Sequence, residues 1–215
     1  MACNERCPFC NVPAEDYAQP TPTVDATMAE LEEFIATGEQ TLTISGGEPT
    51  LLRKRLVTVI ATARARGIQN VELQTNAVLI DEKYADELAK AGLTSAFVSL
   101  LSHLPEHHDA LAGLAGAFPK CIRGIAAMRA AGIAVTLNPV VAFQTQALLP
   151  AYVRFVTDRL PGVSTISLSA VQPHGRAGRD GHEDQLLPDY AVLGPAVKEA
   201  RQIAAERNLT IVNPY

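Results

Sequence analysis

The chain has 215 residues, of which 47% are hydrophobic and 19% are charged, and its formal net charge is −5. These values are typical of a folded domain with a sizeable core, and they exclude a disordered chain. The acidic balance argues against general nucleic-acid binding, and no apolar run reaches the roughly 18 residues that would span a bilayer. Because the N-terminus also shows no signal-peptide core, the sequence predicts a cytoplasmic protein without a membrane segment.

Three of the four cysteines lie close to the N-terminus, with the spacing Cys3-x3-Cys7-x2-Cys10. Thiolates suit iron–sulfur clusters and zinc, and three of them leave a fourth position open or filled from elsewhere. A structural zinc knuckle completed by Cys121 or a histidine therefore stays open as an alternative. A dithiol redox pair of Cys7 and Cys10 is the weakest interpretation, because no strand precedes it and it leaves Cys3 unexplained.

Helices and strands alternate along the rest of the chain. A first helix is predicted over residues 27–36. The predicted strands cover residues 41–45, 70–76, 95–100, 133–141, 164–171 and 210–212. The predicted helices between them cover residues 52–66, 81–91, 118–131, 147–159 and 189–207. This alternation indicates βαβ units and a parallel sheet, open or curled into a barrel, with ligands at the carboxyl ends of its strands.

Polar residues follow the predicted strands at those carboxyl ends. After the first strand, Gly46 and Gly47 allow a ligand to approach the backbone closely, and Glu48 adds a carboxylate. The later strand ends carry Gln74-Thr75-Asn76, Ser99 and Ser102, Asn138-Pro139, and Gln172-Pro173-His174-Gly175. Each of these alone is equally typical of an ordinary strand-to-loop transition. Together they are what a barrel lined for a polar ligand needs.

The cysteine spacing with Phe9 before the last cysteine, followed by a strand that ends in Gly-Gly-Glu-Pro, resembles the radical S-adenosylmethionine (radical SAM) superfamily. The resemblance covers nearly the whole chain, and the stretch 97–149 is similar to members with peptide-modifying or cofactor-assembly activities. It implies an α/β fold, a partial (β/α)6 TIM-like barrel, as one core domain over residues 1–215. A non-enzymatic zinc-binding α/β domain is the competing interpretation.

The resemblance also implies cofactors and partners. Cys3, Cys7 and Cys10 would hold a [4Fe–4S] cluster whose fourth iron binds the amino and carboxylate groups of S-adenosylmethionine (SAM). One electron would cleave SAM, and the resulting 5′-deoxyadenosyl radical would take a hydrogen atom from an unidentified peptide or small-molecule substrate. An electron donor such as flavodoxin or ferredoxin is the expected protein partner.

Position by position, the resemblance implies a binding site for SAM around the strand ends. Phe9 would lie beside the adenine. Gly46 and Gly47 would meet the methionine amino group through their backbone, in a turn shaped by Glu48 and Pro49. The remaining implied contacts, from the later strand ends to the methionyl, ribose and adenine groups, are Thr75, Asn76, Ser99, Asn138, Val171 and Gln172.

The chain departs from the family pattern in three places. Only Met1 and Ala2 precede Cys3, so the first strand is expected to be shortened or missing, with a sheet edge exposed beside the cluster. Ala77 follows Thr75-Asn76 where the family usually has glycine, and Leu101 stands where relatives often have a polar residue. No later cysteine cluster follows, so no auxiliary-cluster domain is expected.

Several isolated residues invite a functional interpretation. Cys121 is expected to be a buried, inert thiol, and His174 is the best histidine for a substrate contact. Arg176 and Arg179 are expected either to receive an anionic substrate or to lie in a flexible charged loop. Three further histidines are expected in a solvated loop rather than at a metal: His103, His107 and His108.

Overall fold

A computed structural model describes residues 2–16, 21–179 and 183–212. The strands are β1 (Thr41–Ile44), β2 (Asn70–Thr75), β3 (Ser95–Val98), β4 (Ala134–Leu137), β5 (Val140–Val141), β6 (Thr165–Ser167), β7 (Ser169–Ala170) and β8 (Thr210–Val212). The α-helices are α1 (Val24–Ala36), α2 (Arg53–Ala65), α3 (Glu82–Ala91), α4 (Pro105–Ala112), α5 (Ala117–Ala130), α6 (Leu149–Arg159), α7 (Glu183–Leu186) and α8 (Tyr190–Glu206). Short 3₁₀ helices cover Ala14–Asp16, Pro49–Leu52 and Gln146–Leu148.

Six strands form one parallel sheet in the order β1-β2-β3-β4-β6-β8. The order follows the chain without the reversal that characterises a doubly wound sheet. Helices connect successive strands, so the predicted α/β partial barrel is confirmed.

The elements form where the sequence pattern predicts them. Along β2, Val71, Leu73 and Thr75 are buried while the residues between them are not, which is the period of two expected for a strand. Helix α3 begins after Asp81, whose carboxylate accepts a hydrogen bond from the Tyr84 amide at 2.8 Å, and it ends at Gly92 with φ of 101°.

The buried apolar side chains fall into two groups. The larger group, here called the main core, packs the helices against the sheet and includes Leu73, Ile125 and Ile166. The smaller group is here called the rim core. It consists of Val78, Leu101, Leu111, Ala112, Ala117, Ala142, Val171, Ala177 and Leu186, with Phe9, Leu114, Val140 and Leu187 packed against them. Several rim-core residues follow the carboxyl ends of strands, where ligands bind in such folds.

Two predicted strands, 133–141 and 164–171, are each divided into two. Pro139 has no N–H to continue the ladder of β4, and the Asn138 side-chain amide donates instead to the Ser167 carbonyl at 2.7 Å and the Ser169 hydroxyl at 2.9 Å. After Pro139 in one strand and Leu168 in the other, β5 and β7 pair as a separate two-stranded parallel sheet.

The connection after β3 contains a helix that the sequence interpretation missed. Helix α4 begins with Pro105 and ends at Gly113 with φ of 62°, and this proline-first, glycine-last pattern is the signal that could have located it. The expectation of a solvated loop was wrong for His108, which is fully buried and accepts a hydrogen bond from the Leu101 amide through Nδ1. Burial lowers the pKa of His108 to about 4.

The sheet has an open edge at β1. In the part of the chain that the structure covers, β1 pairs with β2 alone. A cavity of about 930 Å³ lies beside it, lined in part by Ile44, Leu51 and Leu56.

The described helices were also compared with the requirements of a membrane span. No single one is long and apolar enough to cross a bilayer, and the pair α4 and α5, bent by 97°, meets the requirement only together and only by length and composition.

Candidate functional site

Residues 3–10, here called the cysteine loop, lie against the rim core. The Arg6 amide donates to the Ala112 carbonyl at 2.8 Å, which ties the loop to the end of α4. The Glu48 amide donates to the Ala2 carbonyl at 2.8 Å, which ties the start of the loop to the turn after β1. Two distant elements therefore fix a loop that has no regular secondary structure.

All three thiols of the cysteine loop are free and half-buried. Burial raises the pKa of Cys7 well above its usual range, and the pKa of Cys3 is also raised, mainly by burial. Such thiols become thiolates when they coordinate a metal centre.

Three free thiols on one loop are the donor type that an iron–sulfur cluster requires. A structural zinc site would need a fourth ligand beside the three loop cysteines. Among the residues described, no group of three or more His, Cys, Asp or Glu side chains is placed to hold a metal ion. Cys121, the cysteine that could complete a zinc knuckle, is fully buried on α5 in the main core. The zinc alternative is therefore not supported.

Glu5 is a site residue that the sequence interpretation missed. It is only 6% exposed and accepts a weak hydrogen bond from the Cys7 thiol, at 3.5 Å. Burial raises the pKa of its carboxyl to about 7. The position of Glu5 between Cys3 and Cys7 was the sequence signal that could have identified it.

The turn after β1 exposes Gly46, half-buries Gly47 and buries the carboxylate of Glu48. Gly46 has a φ of 145°, which side chains rarely adopt. The Glu48 carboxylate accepts hydrogen bonds from the Thr50 amide and hydroxyl, from the Thr75 hydroxyl at 2.7 Å, and from the Asn76 amide at 2.8 Å. Glu48 is thus a link between this turn and the end of β2, and Pro49 begins the following 3₁₀ helix.

The end of β2 is joined to both the turn and the cysteine loop. The Asn76 side-chain amide donates to the Asn4 side-chain oxygen at 2.9 Å. The next residue, Ala77, has a φ of 59°, a left-handed conformation that glycine adopts more readily, and its amide donates to the Thr75 hydroxyl. Thr75 and Asn76 therefore use their polar side chains to hold the backbone of the site.

The remaining predicted contacts are spread over the later strand ends. Val171 belongs to the rim core, and Phe9 packs against it. Gln172, the residue after Val171, is exposed. Ser99 follows β3 and is half-buried, with its amide donating to the Thr75 carbonyl. Asn138 is 6% exposed, and its side-chain amide makes the hydrogen bonds to Ser167 and Ser169 described above.

Residues 172–179, here called the arginine loop, pack against the cysteine loop from the β7 side. The Arg176 guanidinium binds both carboxylate oxygens of Glu15 at 2.6 Å, and Arg179 binds Asp16 through both of its carboxylate oxygens. Both cations of this loop are therefore paired with carboxylates of the segment that follows the cysteine loop. His174, in the same loop, is exposed.

Comparisons with known proteins agree with this geometry. The model of the Radical SAM superfamily matches residues 1–150. Fe-coproporphyrin III synthase of Methanosarcina barkeri is 33% identical over 87% of this chain and 46% of its own length. The PqqA peptide cyclase of Granulibacter bethesdensis is 30% identical over 93% of this chain and 53% of its own length.

A solved structure shows the same fold. Native anSMEcpe with bound AdoMet and the Kp18Cys peptide superposes with a TM-score of 0.76 at 19% identity, covering 98% of this chain and 60% of that one. The present chain spans about half the length of the curated relatives that it matches.

Proposed function

The chain belongs to the radical SAM superfamily of enzymes, and from that premise we propose that it catalyses the reductive cleavage of SAM to start hydrogen abstraction from a substrate. Membership implies a [4Fe–4S] cluster and SAM as cofactors. Cys3, Cys7 and Cys10 would hold the cluster. Residues 1–215 would form one radical SAM core domain. When bound, the cluster supplies the electron for cleavage and one iron that no cysteine occupies.

The observation that carries this proposal is the placement of the cysteine loop. Three free thiols stand on a loop whose start is bonded to the glycine turn through the Glu48 amide and the Ala2 carbonyl. The contact between the three thiols' loop and the glycine turn, at the end of the parallel sheet where such folds bind ligands, supports the proposal.

The chain's own residues would then position SAM. The backbone of exposed Gly46 and half-buried Gly47 would bind its amino group, because glycine has no side chain to obstruct the approach. Buried Glu48 and the residue that follows it, Pro49, would hold that turn rather than touch the ligand.

The adenosyl part of SAM would lie over the later strand ends. Phe9, which packs against the rim core that includes Val171, supports an apolar wall for the adenine. The remaining residues proposed to bind or orient SAM are Thr75, Asn76, Ser99, Asn138 and Gln172.

The substrate is proposed to be a peptide or a small metabolite. One relative is a PqqA peptide cyclase and another is an Fe-coproporphyrin III synthase, so similar chains serve both classes. A low-potential donor such as flavodoxin or ferredoxin would reduce the cluster, and this requirement supports a cytoplasmic location.

Anaerobic reconstitution with iron and sulfide tests the proposal. Wild-type protein and Cys121→Ala should become brown, bind about four irons per chain and convert SAM to methionine and 5′-deoxyadenosine under dithionite. Cys3→Ala, Cys7→Ala and Cys10→Ala should each lose the cluster and the cleavage. A colourless wild-type protein that holds one zinc would overturn the proposal, and loss of iron in Cys121→Ala would overturn the assignment of the three ligands.

A further inference from the structure

We infer that Arg176 is a positioning residue for the cluster: it holds the cysteine loop in its ligand-binding shape from the β7 side. The inference rests on the proposed function and goes beyond it, because Arg176 is not among the predicted ligand or cofactor contacts. It assigns to the arginine loop the task of fixing the backbone of Cys7 and Cys10.

Arg176 contacts the cysteine loop at two points. Its Nη1 donates to the Cys7 carbonyl at 2.8 Å, and its backbone amide donates to the Cys10 carbonyl at 3.0 Å. Between these two carbonyls lies the segment Cys7-Pro8-Phe9-Cys10, closed by a bond of 3.2 Å from the Cys10 amide to the Cys7 carbonyl. One residue therefore holds both ends of the turn that presents two of the three thiols.

The Arg176 side chain is itself fixed. Both carboxylate oxygens of Glu15 bind its Nε and Nη2 at 2.6 Å, and the side chain is only 14% exposed. The planar guanidinium can satisfy a carboxylate with one edge and a carbonyl with the remaining nitrogen, which the ammonium group of lysine cannot do in the same geometry. The guanidinium thus connects the Cys7 carbonyl to Glu15, in the segment that follows the cysteine loop.

The backbone of the arginine loop is built for this close approach. Gly175 has a φ of 56°, and a β-carbon there would lie 2.2 Å from the Cys10 carbonyl oxygen. Only glycine brings the Arg176 amide into bonding distance of that carbonyl without moving one of the two loops.

Arg179 provides a matched control. It lies in the same loop and also forms a paired salt bridge, to Asp16 at 2.5 and 2.7 Å. Its Nη1 also lies 3.4 Å from Glu15 Oε1, but among the described residues none of its side-chain contacts reaches the backbone of the cysteine loop. A general effect of losing a surface ion pair should therefore appear equally in Arg179→Met and Arg176→Met.

The experiment compares wild type, Arg176→Met, Arg176→Lys and Arg179→Met. After reconstitution, cluster iron should be lost to a chelator about 10- to 100-fold faster in Arg176→Met, the range found when partners that orient metal ligands are removed. Arg176→Lys should fall between, and Arg179→Met should match wild type. The EPR spectrum of the reduced cluster should change in Arg176→Met alone, which a merely destabilised protein would not produce.

A second measurement needs no cluster. In the iron-free protein, alkylation of the loop thiols should be faster in Arg176→Met than in wild type or Arg179→Met, each measured at the same interval below its own thermal midpoint. Equal alkylation and equal iron retention in the two methionine variants would overturn the inference. If wild type binds no cluster while the alkylation difference persists, the proposed function fails and the positioning of the loop by Arg176 stands.

Discussion

The two sides of the cysteine loop are held by very different contacts. On the β7 side, Arg176 joins Cys7, Cys10 and Glu15 through charge-assisted and backbone hydrogen bonds. On the β1 side, one backbone bond from Glu48 to Ala2 is followed by a cavity of about 930 Å³ along an edge strand. The difference teaches that the Cys7–Cys10 end of the loop is held from the far end of the chain, while the side nearest to β1 leaves room for further packing.

The largest loss of stability is expected where the arginine loop contacts the cysteine loop. Gly175→Ala adds a β-carbon 2.2 Å from the Cys10 carbonyl oxygen at a φ of 56°. The left-handed conformation and the forced movement together should cost about 3 kcal/mol of unfolding free energy, measured by urea denaturation. Gly132→Ala, at a φ of 82° with nothing within 4 Å, shares the backbone strain without the contact and should cost about 1 kcal/mol. Equal losses of unfolding free energy in both variants would show that the two loops move apart at little energetic cost.

The second effect should appear on the weakly held side. An added upstream strand of about six residues with alternating apolar side chains should pair with the open edge of β1 and cover part of the cavity. Burial equivalent to one leucine would add about 2 kcal/mol of stability and raise both the thermal midpoint and iron per chain. A Gly-Ser extension of the same length serves as the control, and equal values for the two extensions would mean that the edge gains nothing from a strand.

A smaller effect is expected at the glycine turn on this same side. Gly47→Val puts a β-branched side chain where the backbone should receive SAM, so SAM affinity measured by calorimetry should fall about tenfold or more. Iron per chain should stay near the wild-type value, because the cysteine loop is held from the other side. Unchanged affinity would show that the turn takes no part in binding.

The smallest effect concerns pH. The hydrogen bonds from Arg176 lower the pKa of Glu15 from 4.5 to about 2. The carboxyl gains its proton more readily in the unfolded chain, so its contribution to stability is present above pH 4.5 and is lost as pH falls towards 2. The difference in thermal midpoint between wild type and Arg176→Met should therefore narrow over that interval. A constant difference down to pH 2 would assign the stabilisation to the Cys7 carbonyl instead.

The sequence predicted the parts of the molecule that depend on local pattern. The spacing of Cys3, Cys7 and Cys10, the glycine turn and the period of two along β2 each identify a feature within a few residues. The division of the strand at Asn138 was not predicted, because it depends on an amide that bonds across to Ser167. Likewise, the burial of Glu48 depends on Thr75 and Asn76, which arrive from the next strand. Contacts between distant segments have no local signal in one sequence.

The bond between Glu15 and Arg176 joins residues that are 161 positions apart. During synthesis the cysteines leave the ribosome first, yet the residue that fixes their loop follows only when most of the barrel has been made. Cluster insertion is therefore expected to follow completion of the chain, and ribosome-bound chains that end before residue 176 should show unprotected thiols.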